Sequence, residues 1–480
     1  MRQMSLLLIL GCSLLSGGCQ QTRLSFTQVE APKVPSFNAP TNAPALARRE
    51  FTPLAPPEAI SLSNKVSLHR LPGMPSQLVG IHLLAVSPDA PYENLDILHT
   101  ALQQHSVKLA NHHDMPCLES LTIHPSIHGL RLSLKCPASE LVQAVDILVQ
   151  SWSPEAYGEL DLAKLRRQLA LDKHIRAFNG SEVEQVWADK ILGSAHPYNK
   201  ALNNRALQQS LDAPQLLALL RQTKAQSRWH LLLEGGPDID GNLRQKLAAS
   251  LSQLGQQQAD EASFVDTFSP YGKQLFVIDA PGTVQTQVRI GYHLPLTQDD
   301  QADSAFACEA LSRWLGRSFS GRLYFDLREQ RGLTYGIYGR CFNNPMARIL
   351  KYFGATQQQH TGAFIRGILD HLALAADAPP SAAELAALKT SQFSRLALRQ
   401  DDPGQRIEDY SQAIARQANA DSLSDRLLRW QQMTPESLQA MAKQHFGQVP
   451  VIVIRGDFER IRPDLEEKLP DWQLKLTSVD

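Results

Sequence analysis

The stretch from Leu315 to Arg340, LGRSFSGRLYFDLREQRGLTYGIYGR, constrains the fold more than any other part of the chain. Ser320 can cap a short helix in which Leu323 and Leu327 lie four residues apart on one face. Arg328 and Arg331 fall in the last turn of this helix, where positive charges interact favourably with the carbonyl end of the helix dipole. Gly332 then predicts the end of the helix, because glycine readily adopts the left-handed conformation of a helix stop.

The residues after Gly332 alternate as a strand does, which predicts Leu333, Tyr335 and Ile337 on one face. Arg328 would then lie just before the end of the helix, and Tyr335 just inside the strand. Taken alone, this pair is compatible with two structural roles, a helix-dipole arginine and an aromatic residue of a strand.

The run resembles the arginine–tyrosine motif in the C-terminal part of the M16 metallopeptidases, the family of insulinase, pitrilysin and the processing peptidases. Gly321 stands where the family commonly has a second serine. The resemblance extends upstream to PGTVQTQVRIG, Pro281 to Gly291, and downstream to the end of the chain. It implies an α+β fold of two homologous M16-type domains that form a half-shell. The matching residues are Arg322, Leu323, Leu327, Arg328, Glu329, Gly332, Leu333 and Tyr335.

The overall charge of the chain argues against two kinds of binding partner. The chain has 480 residues, long enough for two to four domains. Its 47 basic and 48 acidic residues leave a net charge of −1 without a long run of either sign. This balance argues against nucleic acid as a partner and against an electrostatic membrane patch.

The N-terminus predicts a targeting segment. Arg2 precedes the apolar run Leu6 to Leu15, which is too short to span a bilayer as a mature helix. The small residues before Cys19 resemble a bacterial lipobox, in which that cysteine is lipidated after cleavage. Gln20 in place of aspartate implies the outer membrane, with the protein on its periplasmic face. The alternative is a plain secretory signal and a soluble periplasmic protein.

We expect a signal peptide over residues 1–18 and an unstructured tether rich in proline over residues 19–57. Two domains should follow, over residues 58–258 and 263–480. The duplication is predicted by two markers: GIH at Gly80 returns as GYH at Gly291, and LLLEGGPDID, Leu231 to Asp240, returns as IVIRGDFERI, Ile452 to Ile461.

Local patterns predict the elements of the first half. Strands are expected at Ile60 to Leu71 and Gln77 to Val86, on either side of the turn PGMP. Asn94 to Ala110 reads as an amphipathic helix and Leu118 to Cys136 as a hairpin, and Leu160 to Phe178 is expected to be helical.

The resemblance also shows which chemistry is missing. A catalytic M16 subunit carries H-x-x-E-H on the first helix of its first domain, with two zinc-binding histidines and a glutamate base. Here His99 could stand for the first histidine, but Leu102 and Gln103 occupy the other two places. The third ligand, a glutamate in the family, has Gln168 as its nearest substitute. We therefore expect no zinc or other cofactor in this chain.

Other histidines do not rebuild a metal site. Pro125 prevents a helix that would align His124 with His128. His112 and His113 read as a solvated loop, and His196 in AHPY resembles a family loop in which packing is the expected role. No G-x-S-x-G elbow, P-loop or dinucleotide fingerprint occurs.

The cysteines fit an oxidising compartment. Cys117 and Cys136 lie symmetrically about the expected hairpin turn near Ser126, so they could face each other and form a disulfide. Two unpaired buried thiols are the alternative. For Cys308 and Cys341 the sequence offers no geometric argument.

Two functional hypotheses follow. In the first, the chain is an M16B-type subunit without zinc, and it supplies Arg328 and Tyr335 to peptide hydrolysis at the zinc site of an H-x-x-E-H partner. The substrates would be unfolded peptides that enter a chamber between the two chains. In the second, it is an inactive pseudo-peptidase that binds peptides or acts as a scaffold. In both, a lipid anchor at Cys19 makes the membrane contact.

Overall fold

The computed structural model describes residues 57–62, 66–71, 77–87, 89–153, 157, 160–178, 181–202, 207, 210–254, 270–296, 301–317, 321–416 and 422–478. The signal peptide, the lipidation of Cys19, the helix cap at Ser320, the PGMP turn and nearly all of the tether lie outside these residues. Within the described residues, no helix combines the length and apolarity that a membrane span requires.

Helices carry most of the described chain. In the first half they are α1 (Leu95–His112), α2 (Leu141–Gln150), α3 (Leu162–Phe178), α4 (Glu182–Leu192), α5 (Pro197–Leu202), α6 (Ala213–Gln226) and α7 (Gly241–Ser250). In the second half they are α8 (Gln301–Gly316), α9 (Arg322–Tyr324, continued as a π-helix over Phe325–Gln330), α10 (Thr361–Asp377), α11 (Ala382–Asp401), α12 (Pro403–Ala415), α13 (Ser422–Gln432), α14 (Pro435–Phe446) and α15 (Phe458–Lys468).

The first half contains a six-stranded sheet in the order β1-β2-β6-β3-β5-β4. Its strands are β1 (Glu58–Ser61), β2 (Ser67–Leu71), β3 (Leu78–Val86), β4 (Thr122–Ser126), β5 (Gly129–Pro137) and β6 (Arg228–Gly235).

Two strand predictions for this sheet need correction. The single strand expected over Ile60 to Leu71 is wrong, because Ile60 on β1 pairs with Leu68 on β2 in an antiparallel arrangement. The polar sequence SNK between the two strands is a turn signal that the prediction overlooked. β2 and β3 are also not neighbours, because β6 lies between them and pairs with both.

The second half contains another six-stranded sheet, in the order β12-β7-β11-β8-β10-β9. Five strands correspond one to one in order and direction with those of the first sheet, which confirms the prediction of two homologous α+β domains. The sixth strand comes from opposite ends of the two halves, β1 in the first and β12 in the second. The strands are β7 (Gln274–Asp279), β8 (Gln285–Leu294), β9 (Thr334–Asn344), β10 (Ala347–Gln357), β11 (Val451–Gly456) and β12 (Gln473–Thr477).

The two sequence markers locate equivalent strands, but they are not equivalent residue by residue. Gly80 pairs with Glu234 across the first sheet, and Gly291 pairs with Val451 across the second. The sequence alignment had matched Glu234 with Arg455 instead. A similarity of short buried strands therefore gave the right topology with a shifted register.

Each half contributes one helix to the sheet of the other half. α4 of the first half packs on the second sheet, where Val186 and Trp187 share a buried cluster with Phe276 on β7 and Val453 on β11. α12 of the second half packs on the first sheet, where its Ile407 and Ala415 share a cluster with Leu71, Leu84, Val86 and Leu232. The apolar residues of each exchanged helix therefore complete a core that belongs to the opposite half.

Ion pairs accompany this exchange. Glu184 on α4 accepts hydrogen bonds of 2.6 Å from both Arg289 and Lys351 of the second sheet. Arg406 on α12 donates to Glu234 of the first sheet at 2.7 Å. Burial alone would raise the pKa of Glu184, but the two cations outweigh it and lower that pKa. The two halves are therefore joined by both apolar and charged contacts.

Candidate functional site

The motif from Gly321 to Ile337 forms a helix, a tight turn and the start of an edge strand. The Leu333 N–H donates to the Leu327 carbonyl at 2.8 Å, and the Gly332 N–H donates to the Arg328 carbonyl at 3.1 Å. Gly332 has a φ of 63°, which a residue with a side chain rarely adopts. The glycine therefore ends the helix as predicted and turns the chain directly into β9.

The second part of α9, over Phe325–Gln330, has π-helical hydrogen bonding. Such a segment accommodates an extra residue in the helix and changes the direction of the side chains that follow; it occurs frequently at functional sites. Leu327 is fully buried here, where a side chain at Gly367 of α10 would come within 2.5 Å of its Cδ2. This close packing fixes the segment that carries Arg328.

Arg322 has a structural role at the start of α9. Its Nε and Nη2 donate to the two carboxylate oxygens of Glu384 on α11, at 2.6 and 2.9 Å. Trp314 Nε1 donates to the same carboxylate at 2.7 Å, and the guanidinium lies 4.6 Å from the Trp314 ring centre. Both members of the ion pair are buried, so this arginine of the motif anchors the helix and has no access to a substrate.

Asp326 anchors the other end of the same helix. Its carboxylate accepts a hydrogen bond from His371 Nε2 at 3.0 Å and another from Arg331 Nε at 3.0 Å. Burial alone would raise the pKa of Asp326, but these two hydrogen bonds lower it below the ordinary value. A second arginine of the motif, Arg331, is thus also committed to holding the helix.

Arg328 differs from these two arginines because it has no buried carboxylate partner among the described residues. Its guanidinium lies 4.7 Å from the centre of the Tyr324 ring, and its Nε is 3.6 Å from the half-exposed carboxylate of Glu329. The side chain is 34% exposed. An arginine held over an aromatic ring beside a tight turn can donate to a ligand.

Tyr335 lies on a β-bulge, which corrects the predicted face of the strand. Ile337 pairs with Gly354 and Thr334 with Thr356, so β9 has one more residue here than β10. The extra residue breaks the alternation, and Tyr335 is 81% exposed whereas Ile337 is fully buried. The expectation that Tyr335 and Ile337 share a face is therefore wrong.

The side chain of Thr334 holds this bulge. Thr334 Oγ1 donates to the Ala355 carbonyl of β10 at 2.5 Å and accepts from the Gly336 N–H at 3.1 Å. A Cβ at Gly336 would come within 2.5 Å of the Tyr338 hydroxyl, so a side chain at this position would have to displace the Tyr338 ring. The exposed Tyr335 is presented by a defined local structure.

The positions of the degenerate zinc motif lie on α1 and α3. Leu102 is part of the hydrophobic core and Gln103 is exposed. On α1, Gln104 Nε2 donates to Gln168 Oε1 on α3 at 2.7 Å. A second zinc ligand has to face the third one, and adjacent residues of a helix point about 100° apart. If Gln168 stands at the third-ligand position, this contact favours Gln104 over Gln103 as the second-histidine position.

With this shift, Thr100 takes the first-histidine position, since ligands of this motif lie four residues apart on one helix face. Its hydroxyl donates to the Asp96 carbonyl at 2.8 Å. His99 falls one residue outside the frame. Neutral amides and a hydroxyl are poor zinc ligands, so the residues present do not fit a catalytic zinc ion.

The remaining histidines take part in packing and contacts between the halves. His105 is buried against the Tyr157 ring, and burial lowers its pKa to about 4. His196 Nε2 donates to the Met346 carbonyl at 3.1 Å, and Tyr198 Oη accepts from the Met346 N–H at 2.9 Å. The AHPY loop thus binds both backbone groups of Met346 in the β9–β10 turn.

Three further histidines are placed as follows. His128 Nε2 accepts from the Tyr198 hydroxyl at 2.8 Å, while its Nδ1 donates to the Ser87 carbonyl at 2.6 Å. His124 lies on β4, and His112 is the last residue of α1, where the sequence had indicated a loop.

Two disulfides are present among the described residues. One joins Cys117 to Cys136 within the first half, with a Cα–Cα distance of 5.1 Å. The other joins Cys308 on α8 to Cys341 on β9, with a Cα–Cα distance of 5.5 Å. The second bond ties the strand that carries Tyr335 to the helix that packs on it. Glu140 lies near the first disulfide, but its cysteines are oxidised and do not form a thiolate metal site.

Residues 215–392 match the family model described as the peptidase M16 inactive domain. None of the curated proteins matches the chain in sequence.

Solved structures share the fold at low sequence identity. A protease from Helicobacter pylori is 13% identical, with a TM-score of 0.69 over 84% of this chain and 100% of its own. A peptidase M16 inactive domain from Pseudomonas fluorescens is 16% identical, with a TM-score of 0.68 over 83% of this chain and 97% of its own. A chain of complex III2 from Candida albicans, with Inz-5 bound, is 14% identical, with a TM-score of 0.65 and coverages of 86% and 99%.

Proposed function

Because residues 215–392 match the model of the peptidase M16 inactive domain, we propose that the chain is an M16 protein and acts as the non-zinc subunit of a two-chain peptidase in the bacterial envelope. In this proposal a partner with an intact H-x-x-E-H motif holds the zinc ion, and unfolded peptides are the substrates. The present chain supplies hydrogen-bond donors to the partner's active site.

The observation that carries the proposal is a contrast among the arginines and the tyrosine of the segment from Gly321 to Ile337. Arg322 and Arg331 are bound to the carboxylates of Glu384 and Asp326. Arg328 has no buried carboxylate partner among the described residues, only the half-exposed Glu329, and Tyr335 is 81% exposed. Both lie at backbone irregularities, a π-helix and a β-bulge. Irregular backbone of this kind redirects side chains and is frequent at functional sites.

An arginine and a phenol suit the chemistry of peptide hydrolysis. When a zinc-bound hydroxide attacks a peptide carbonyl, negative charge develops on the carbonyl oxygen of the tetrahedral transition state. Donors that are already in place stabilise this charge without any metal of their own. In the proposal, Arg328 and Tyr335 point into the chamber and donate to that oxygen.

The location belongs to the proposal as well. Lipidation of Cys19 would hold the chain on the periplasmic face of the outer membrane, and a plain secretory signal would instead leave it soluble in the periplasm. The solved neighbour from complex III2 is a subunit of a larger assembly, which supports a paired arrangement. The alternative function, a scaffold or peptide-binding pseudo-peptidase, requires no donor at position 328 or 335.

The deciding experiment is reconstitution with a zinc-bearing M16 chain from the same organism, one encoded next to this protein being the first choice. Each chain is assayed alone and as a mixture on an unfolded peptide. We expect hydrolysis only in the mixture, together with a complex on gel filtration. A zinc-bearing chain that hydrolyses at the same rate with and without the present chain would rule out the subunit role.

A further inference from the structure

Three arginines in the second half surround a single carboxylate. Arg395 Nη1 on α11 lies 3.9 Å from Glu309 Oε1, and Arg426 Nη1 on α13 lies 3.7 Å from Glu309 Oε2. Arg313 lies one turn along α8 from Glu309. Burial lowers the pKa of Arg313, and the positive charge of the nearby Arg426 lowers it further. We refer to Arg313, Arg395 and Arg426 as the arginine cluster. One carboxylate cannot neutralise three guanidinium groups, so the cluster has an excess of positive charge.

The structure shows that this excess is not relieved by other described groups. Burial, followed by the charge of Arg313, lowers the pKa of Arg395 to about 10. The Nε atoms of Arg313 and Arg426 are buried and have no hydrogen-bond acceptor among the described residues. Arg399, one turn further along α11, is paired with Asp409. Buried donors without an acceptor are unfavourable, and they add to the cost of holding three arginines around one carboxylate.

A cavity of about 520 Å³ opens beside the cluster, and Arg395 belongs to both. Ser391, Ser394 and Leu398 lie at helical spacing on the same face of α11 and also line the cavity. Asp402 is in the lining too, but its carboxylate accepts the Gln405 N–H as a helix cap. Arg399, which is paired with Asp409, and Gln405 complete the lining, which thus combines two arginines, one carboxylate, hydroxyl groups and an apolar side chain.

Leu398 narrows the class of ligand. It is 70% exposed and is the apolar side chain of the lining. A bare inorganic oxyanion would leave it exposed, whereas a peptide can place an apolar side chain on it. A further arginine, Arg340, lies near the cluster, and its charge contributes to lowering the pKa of Arg313. Arg340 is on β9, the strand that also carries Tyr335.

We propose that this cavity binds an acidic segment of a peptide. A glutamate or aspartate side chain would be bound by Arg395 with its neighbours in the cluster, and an adjacent apolar residue would contact Leu398. That the ligand is a peptide rests on the proposed function, whereas the excess of positive charge does not. The second half would thereby favour acidic peptides over neutral ones.

The test uses the full chain alone and two fluorescein-labelled octapeptides, one alternating glutamate with leucine and the other alternating glutamine with leucine. Binding is measured by fluorescence anisotropy at low and at physiological salt. We expect the acidic peptide to bind roughly tenfold more tightly, and Arg395→Gln to remove most of that difference. Arg462→Gln, on the exposed surface of α15, is the matched control and should bind like the wild type.

Thermal unfolding gives a second readout. If the cluster is built for a ligand, Arg395→Gln should raise the Tm of the free chain, because it removes repulsion between like charges. An arginine with a structural role would instead lower the Tm when replaced. Competition with inorganic phosphate should require a far higher concentration than competition with unlabelled acidic peptide.

Equal binding of the two octapeptides, wild-type affinity in Arg395→Gln, or phosphate that competes as strongly as the peptide would overturn the proposal. None of these measurements involves the partner chain or hydrolysis. The outcome is therefore independent of the reconstitution experiment, and a failure of either proposal can be recognised separately.

Discussion

Tyr335 and Ile337 lie two residues apart on one strand, yet Tyr335 is 81% exposed and Ile337 is completely buried. In a regular strand two such residues would share a face. The bulge between Thr334 and Ile337 is what separates them, and the hydroxyl of Thr334 bonds to both sides of it. The same local structure keeps one side chain in the core and delivers the other to the surface, where a substrate can reach it.

The first prediction concerns catalysis in the reconstituted pair. Tyr335→Phe and Arg328→Ala should each lower the turnover rate by roughly a hundredfold, as expected for the loss of one donor to a developing oxyanion. Folding and assembly should be unchanged, since neither side chain is buried. Steady-state kinetics and gel filtration of each variant provide the measurement.

Controls for this prediction remove the same chemical groups at other positions of the second half. Tyr338→Phe removes a hydroxyl from the same strand, and Arg366→Ala removes an exposed arginine that pairs with Asp370 on α10. Both controls should turn over at the wild-type rate. If Tyr335→Phe and Arg328→Ala do so too, the two residues have only structural roles.

The second prediction concerns the buried pair of Arg322 and Glu384. Arg322→Met alone should destabilise the chain by about 3–5 kcal/mol, because it leaves a buried carboxylate without its partner. Replacing both residues, as Arg322→Met with Glu384→Leu, should restore much of the loss. Urea unfolding measures both values. A single variant as stable as the wild type would show that the carboxylate finds another partner.

The third prediction concerns pH. The folded pKa of Glu184 is lowered by Lys351 and Arg289, in spite of burial. Its stabilising effect is therefore present above the ordinary glutamate pKa and is lost as the pH falls through the lowered value. The Tm of the wild type should exceed that of Glu184→Gln at neutral pH, and the difference should shrink in acid. Glu459→Gln, an exposed residue of α15, is the control, and a difference that persists unchanged in acid would contradict the assignment.

The fourth prediction concerns metal. The purified chain should hold no stoichiometric zinc by elemental analysis, and it should cleave no peptide alone. One tightly held zinc ion per chain, together with proteolysis that a chelator abolishes, would contradict the absence of a zinc site.

The position of the lost zinc site can be tested with two rebuilt variants. One carries Thr100→His, Gln103→Glu, Gln104→His and Gln168→Glu, and the other retains His99 and carries Leu102→Glu, Gln103→His and Gln168→Glu. Only the first should bind zinc, because Gln104 is the residue that faces Gln168. Zinc binding by the second variant would restore the frame that begins at His99.

The fifth prediction concerns the N-terminus. If Cys19 carries the lipid, Cys19→Ala should give an uncleaved precursor or a soluble periplasmic protein. Detergent partitioning and fractionation of cells are the measurements. Partitioning that does not change would leave the plain secretory signal as the explanation.

The sequence allowed the topology to be predicted where the relevant forces are local. Gly332 specified the end of a helix, and local patterns predicted the strand at Gln77 to Val86 and the hairpin at Leu118 to Cys136. The bulge at Tyr335 could not be predicted in this way, because it depends on how β9 pairs with β10. Similarly, the carboxylate that binds Arg322 belongs to Glu384 on another helix, and the sequence does not show which of the many acidic residues makes this contact.

The alignment of the zinc motif also depends on a contact between two distant segments of the chain. Counting from His99 gave one frame, whereas the contact of Gln104 with Gln168 on α3 favours a frame that begins one residue later. The arginine cluster was also invisible in the sequence, since its members come from three separate helices around Glu309. A chain with balanced overall charge can still concentrate one sign locally.

The exchange of α4 and α12 between the halves has a consequence for biogenesis. One face of the first sheet, with Leu84 and Leu232, is covered by Ile407 and Ala415, which are synthesised much later. A nascent chain that has finished its first half therefore still displays an apolar surface, and it depends on its own C-terminal half, or on a chaperone until then, to cover it. Folding of this protein is for that reason expected to proceed as one unit, with neither half maturing ahead of the other.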